Sequence, residues 1–414
     1  MTQIDLGWGA GPSARYDELA APFRPIFARI REKAVERELT RTLPREEIGW
    51  LKEAGFLALR VPSELGGKGA TLPEYFALLI ELGEADPNVV NALRSHGGFL
   101  EDLLVCGNAA WREKWLERSL AGKMIGSGFS EVGDNKVGVF STRLERDGDH
   151  WRLNGKKFYT TGALFADFIN LGATDENGEG VGAVVPTSAE GVEILDDWDG
   201  FGQALSASGT AIFTDVRVES DLVNPPGGRC KYVGGFFQLV HIATLAGVGR
   251  AAANDVARLV VERTRVYGHG NASRVSQDPQ ILQVVGKVRG AAYAAGATAL
   301  KAAEALQRAY EAHFAGDTEA EDRAAVLADI EVNQSVTPVT NLILDASTVL
   351  FDALGASAAR KGLGLDRHWR NARTIASHNP RIYRDRIIGD FAVNGARPPA
   401  RAGVGQAVAE PAKD

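Results

Sequence analysis

Cysteine is scarce in these 414 residues. Cys106 and Cys230 stand alone, which excludes a disulfide framework and points to a reducing cytoplasm. The seven histidines form no HxxxH, HxH or Cys/His cluster, so no dedicated zinc site is expected. No apolar run approaches the ~18 uncharged residues that span a bilayer. The opening stretch, MTQIDLGWGAGPSARYDE, has no basic-then-apolar signal pattern, so membrane partners are not expected. Positive charge is in deficit as well: a net charge of −7 and a pI near 5.7 give no electrostatic reason to expect nucleic acid as a partner. What is present is an ordinary globular composition, 45% apolar and 24% charged, long enough for two or three domains.

Three regions follow one another. Residues 15–122 have helical periodicity: LPREEIGWLKEAGFLAL sets Ile48, Leu51 and the Gly55/Phe56 pair at helical spacing, and TLPEYFALLIELGEAD sets Tyr75, Leu78, Leu79 and Leu82 on one face. Between them VPSELGGKGA is a loop by its Pro and Gly content. Residues 123–235 change to glycines, β-branched residues and turn dipeptides. Asp147-Gly148 and Asn154-Gly155 are both hairpin signals flanking Trp151 and Leu153, while AIFTDVRV and EGVGAVVPT complete a β region. Residues 236–396 return to long Ala/Leu-rich helices suited to a bundle, and 397–414 lack apolar periodicity and form a loose tail.

Taken one at a time, the motifs say little. AGVGRAA matches G-x-G-x-x-A through Gly247 and Gly249, but the residues before it are helical, so a small-residue stripe on a bundle helix is favoured over a dinucleotide site. His96 and His378 each suit a helix end, Trp198 a loop aromatic, Thr160 and Thr161 a strand, and Arg265 a solvated helix terminus.

In their order along residues 35–396, these pieces resemble the acyl-CoA dehydrogenase fold. LPREEIGWLKEAGFLALRVPSELGGKG is similar to that family's opening, GDHWRLNGKKFYTTGALFADFINLGAT to its central strands, and RNARTIASHNP stands where it carries a catalytic glutamate segment. The resemblance implies an α+β fold with an N-terminal helical domain, a central β-barrel-like domain and a C-terminal four-helix bundle. The departures matter too. No Glu occurs between Glu331 and Glu410, or between Glu219 and Glu262, so both places where the family keeps its base lack one. SEVGDNKVG also departs from the family's flavin-contacting segment. RSHGGFLEDL, FYTTGALFAD and LDRHWRNARTIASHNPRIYRDRIIGDFAVNG look closer to the two-component FMNH2-dependent monooxygenases of the same fold, which include dibenzothiophene and sulfone monooxygenases and amino-sugar nitrososynthases. Leu100 replaces the tyrosine that dibenzothiophene-type members place four residues after the early histidine.

That resemblance implies an oxidoreductase in which reduced FMN and O2 form a C4a-hydroperoxyflavin that oxygenates a small or aromatic S-, N- or ring-containing substrate. It implies His96, His378 and Thr160 as catalytic residues, the two histidines converging over the flavin. Ser127, Ser130, Phe158, Tyr159, Thr160, Thr161 and Trp198 would hold the ring and Arg265 the phosphate. FMN is expected over FAD because no adenine fingerprint is present. An atypical acyl-CoA dehydrogenase with FAD is the alternative, and a non-catalytic flavin-fold protein a further one. With no nicotinamide site, a separate NAD(P)H:flavin reductase is the expected partner, and the fold implies a homotetramer through helices 281–314 and 324–355.

Overall fold

A computed structural model describes residues 7–132, 140–225 and 229–399. The SEVGDNKVG segment and the tail therefore fall largely outside the described residues, 133–139 and 400–414 among them. Seven helices come first: α1 (Tyr16–Ala20), α2 (Arg24–Glu32), α3 (Ala34–Thr40), α4 (Arg45–Glu53), α5 (Leu72–Ala85), α6 (Pro87–Leu104) and α7 (Ala109–Leu120). Their ends follow local chemistry. Thr71 and Glu74 form a reciprocal capping box at the start of α5, and the Asp86 carboxylate receives the Asn88 amide at the start of α6. Helix α4 stops at Glu53 because Gly55 takes a φ of 77°, so Phe56 belongs to a separate 3-10 turn and the helical spacing expected through Gly55/Phe56 ends early.

The strands are β1 (Ile125–Gly128), β2 (Arg143–Asp147), β3 (His150–Lys157), β4 (Phe168–Thr174), β5 (Gly180–Pro186), β6 (Val192–Ile194) and β7 (Ala211–Glu219). They form one seven-stranded sheet in the order β1-β4-β2-β3-β7-β6, with β5 on β4. Asp147-Gly148 makes the β2–β3 turn, with Gly148 at a φ of 68°. Asn154-Gly155 does not turn. It lies inside β3 at a register shift against β7, where a Cβ on Gly155 would stand 2.7 Å from Thr142 Cα. The glycine there serves a close chain crossing, a role that shares its dipeptide with a hairpin.

The remaining helices are α8 (Val233–Glu262), α9 (Pro279–Phe314), α10 (Thr318–Val349), α11 (Asp366–Ser377) and α12 (Ile382–Asn394), and the first four pack as a bundle. The expectation that no apolar run approaches bilayer length is corrected by α8: residues 232–249 carry no Asp, Glu, Lys or Arg, and the helix is long and apolar enough to cross a membrane by composition, yet 83% of its most apolar window is buried inside the fold. Gly247 explains part of that burial. A Cβ there would lie 2.6 Å from the Gly83 carbonyl carbon, so the small-residue stripe lets α8 press directly on α5. The Ala/Leu/Val core runs unbroken from α5 through α8 into α9 and α10.

Candidate active site

Two surfaces meet where the sheet adjoins the bundle. The first is built at the end of β3. Phe158 donates its amide to the Ser130 carbonyl at 3.0 Å, and Ser127 donates to the Thr161 carbonyl at 3.3 Å. Between these anchors the chain reverses at Tyr159, whose φ of 57° is uncommon for an aromatic residue. Thr160 then sends both its amide and its hydroxyl to the Gly209 carbonyl, at 3.1 and 2.9 Å. The Thr161, Ser208 and Ser206 hydroxyls continue as a chain at 2.9 and 2.8 Å, ending on the Gln203 carbonyl at 2.7 Å. The left-handed turn leaves Tyr159 49% exposed, flanked by Phe158 at 4.6 Å and by Trp198 at 5.9 Å between ring centres. The result is an aromatic shelf edged by hydroxyls and held by buried hydrogen bonds.

The second surface comes from α6, α8 and α11. Gly98 has no side chain because Phe237 fills its place: a Cβ would meet the Phe237 ring at 2.2 Å. Phe237 is crossed by two guanidiniums, Arg94 at 5.0 Å and Arg229 at 5.2 Å, and Arg229 reaches across to Phe129 at 5.6 Å, the neighbour of Ser130 on the first surface. Asp102 pairs with Arg229 at 2.9 Å. One turn beyond Phe237, His241 lies 5% exposed with its ring centre 4.3 Å from that of His378. His378 caps the C-terminus of α11, and its Nε2 meets Arg94 Nη2 at 3.1 Å. Among the described residues no group of three His, Cys, Asp or Glu could hold a metal ion.

Beneath α6 the polar groups are structural. Arg60 and Glu101, 4% and 0% exposed at their side chains, form an ion pair at 2.7 Å, and Tyr232 donates to the same carboxylate at 2.8 Å. His96 lies beside them at 3% exposure. Its Nε2–H donates to the Leu57 carbonyl at 2.9 Å and its Nδ1 accepts the Ile125 amide at 3.3 Å. Burial lowers its pKa to about 4, so the ring is neutral at pH 7.

Comparison with known proteins bears on what this arrangement is. Residues 19–123 match the acyl-CoA dehydrogenase N-terminal domain, 130–216 its middle domain and 239–380 its C-terminal domain. The chain belongs to the acyl-CoA dehydrogenase family. Within this family it is 27% identical over 394 residues to a probable FMNH2-dependent monooxygenase of Pseudomonas putida, covering 91% of this chain and 97% of that one. It is 26% identical over 404 residues to a dibenzothiophene monooxygenase of Mycolicibacterium goodii, covering 93% and 96%. The FMN-bound dibenzothiophene monooxygenase of Paenibacillus sp. A11-2 shares the fold, with a TM-score of 0.83 at 23% identity over 92% of this chain and 98% of the other.

Against the residues expected for an acyl-CoA dehydrogenase-family flavin site, the structure gathers Ser127, Ser130, Phe158, Tyr159, Thr160, Thr161 and Trp198 on the one shelf. It separates the histidine pair. Arg94 and His96 are two residues apart on α6, ~200° around the helix. Arg94 is the residue that meets His378, while His96 faces Leu57 and Ile125 with both ring nitrogens engaged. The expected convergence of His96 with His378 is therefore corrected to one of His241 with His378. Thr160 is adjusted as well: its hydroxyl proton goes to Gly209, leaving lone pairs as what the oxygen can offer. Arg265 lines a different cleft with Arg263, Tyr267 and Asp278, past the end of α8 and about 30 Å along that helix from His241. His241 and Arg94 were not anticipated. The available signal was faint: a histidine inside the apolar run LVHIATL and an arginine inside NALRSH, both on faces that an amphipathic reading assigns to core or solvent.

Proposed function

We infer that this chain is a flavin-dependent monooxygenase that takes reduced FMN from a separate NAD(P)H:flavin reductase and oxygenates a small or aromatic S-, N- or ring-containing substrate with O2. The carrying observation is the corner at the end of α11, where His378, His241 and Arg94 meet. Acyl-CoA dehydrogenation needs a carboxylate to take the α-proton, and no glutamate occurs between Glu331 and Glu410. The relatives named for FMNH2-dependent and dibenzothiophene oxygenation support the same reading over nearly their whole length.

The shelf fits a flavin ring. Tyr159 presents exposed aromatic surface beside a half-buried Trp198, and a Thr160 hydroxyl already committed to Gly209 suits a ring nitrogen that carries a hydrogen, as in reduced flavin, better than one that must receive a hydrogen bond. When bound, reduced FMN supplies the two electrons that activate O2. The chain's own residues then divide the work. Phe158, Tyr159 and Trp198 orient the ring, Phe129 and Phe237 keep water from the space in front of it, and His378 holds a proton there. A homotetramer is supported by exposed Leu282, Tyr293 and Leu327 on α9 and α10 and by α12, none of whose residues is buried. In such an assembly Arg265 would serve the phosphate end of a flavin in a neighbouring copy. The two free thiols, Cys106 and Cys230, support a cytoplasmic location.

The test supplies the protein with FMN, NADH and a generic flavin reductase under 18O2, with a panel of sulfur, nitrogen and aromatic compounds. One 18O atom per product molecule is expected. Tightly held FAD that is bleached by an acyl-CoA, with no 18O in any product, would replace this reading with dehydrogenation.

A further inference from the structure

The contact between Arg94 and His378 carries information about a proton. A guanidinium has five N–H donors and no acceptor, so the 3.1 Å contact from Arg94 Nη2 requires a lone pair on His378 Nε2. The ring proton then resides on Nδ1. Two further contacts hold this state. Arg94 is kept in place over Phe237 at 5.0 Å, and His241, one helical turn further along the same face of α8, covers the His378 ring at 4.3 Å with a 48° tilt. Rotating the imidazole by half a turn would face a carbon toward the guanidinium and forfeit the hydrogen bond.

We propose that Arg94 and His241 are positioning residues that hold His378 as the neutral Nδ1–H tautomer. The inference rests on the reading of His378 as the group that faces the reacting oxygen. Its consequence is a choice between two balanced outcomes. Reduced flavin, O2 and substrate yield oxidised flavin, oxygenated substrate and water; without transfer, reduced flavin and O2 yield oxidised flavin and hydrogen peroxide. A neutral imidazole N–H donates a hydrogen bond yet keeps its proton near neutral pH, whereas an imidazolium also releases it. Holding the neutral form favours transfer to substrate over peroxide release. A His378 free to become imidazolium would not discriminate in this way.

The experiment begins on the resting protein labelled with [15N]histidine, where nitrogen shifts separate the two tautomers and His378→Gln assigns the signal. The expected pattern is a protonated Nδ1 and a bare Nε2. In Arg94→Met the Nε2–H form should appear, and peroxide released per FMNH2 oxidised should rise about tenfold, the ratio a charge-assisted hydrogen bond sustains. Arg94→Lys should restore most of the coupling, and His241→Phe, which keeps a ring, should raise peroxide less than His241→Ala. An Nε2–H ring in the wild-type protein overturns the inference whatever the variants do, as does unchanged coupling in a folded Arg94→Met. If His378→Gln alone leaves coupling intact while Nδ1–H is observed, the reading of His378 as the reacting group falls and its tautomer assignment does not.

Discussion

Replacing His96 by leucine separates a structural histidine from a catalytic one. In the native fold the ring joins the Leu57 carbonyl to the Ile125 amide, so leucine leaves one buried acceptor and one buried donor without partners. At roughly 1–3 kcal/mol each, partly offset by the better burial of leucine, the loss should be about 3 kcal/mol at pH 7. The wild-type ring also titrates. Its folded pKa of about 4 lies below the ordinary ~6.5, so at pH 5 the unfolded chain binds a proton that the folded chain does not. Stability therefore falls as pH drops from 7, by about 2 kcal/mol at pH 5. Leucine has no such dependence, so the gap between the two proteins should narrow from about 3 to about 1 kcal/mol between pH 7 and 5. His368, also buried and lowered to about 4, contributes to both proteins and cancels in the difference. Urea denaturation at the two pH values measures the gap. A gap of equal size at both, or an unaltered midpoint together with lost oxygenation, would refute the clamp and return His96 to the chemistry.

Two other substitutions probe the shelf and its foundation. Tyr159→Gly relieves a φ of 57°, so the folded protein should gain about 1 kcal/mol or lose little despite the missing ring, while FMN retention measured by equilibrium dialysis weakens; tighter FMN binding would show that the strained aromatic does not serve the flavin. Glu101→Leu leaves the Arg60 charge buried alone and should cost about 3–5 kcal/mol in chemical denaturation, whereas pairing it with Arg60→Met should recover most of that loss. Equal destabilisation of the single and double variants would assign the cost to packing instead.

The parts of this fold that were legible in the sequence are those decided locally. Asp147-Gly148 turns because its glycine accepts a positive φ, and the long helices carry their periodicity and caps with them. Gly247 read correctly as a helix-packing stripe because nothing before it resembled a strand. Asn154-Gly155 misled for a long-range reason: its glycine admits Thr142, the residue just before β2, and a dipeptide cannot show what crosses it. The same limit governs the site. His378 stood out by its place in the family pattern, but Arg94 and His241 meet it only through the packing of α6 and α8, and their helical periodicity is that of any buried or half-buried residue. His96 had the right type and place for chemistry, and only the fold shows that both of its ring nitrogens are engaged by backbone partners.

The glycine contact between α5 and α8 also constrains how this molecule can breathe. His241 lies six residues, ~9 Å, along α8 from Gly247, where the two helix backbones touch without side chains between them. Interdigitated backbone of that kind has no soft side chain to compress, so the N-terminal helices and the bundle move as one unit around the histidines. His378 is itself exposed at the end of α11, so access to it does not depend on loosening that contact, and α5 and α8 should exchange their amide hydrogens only with global unfolding.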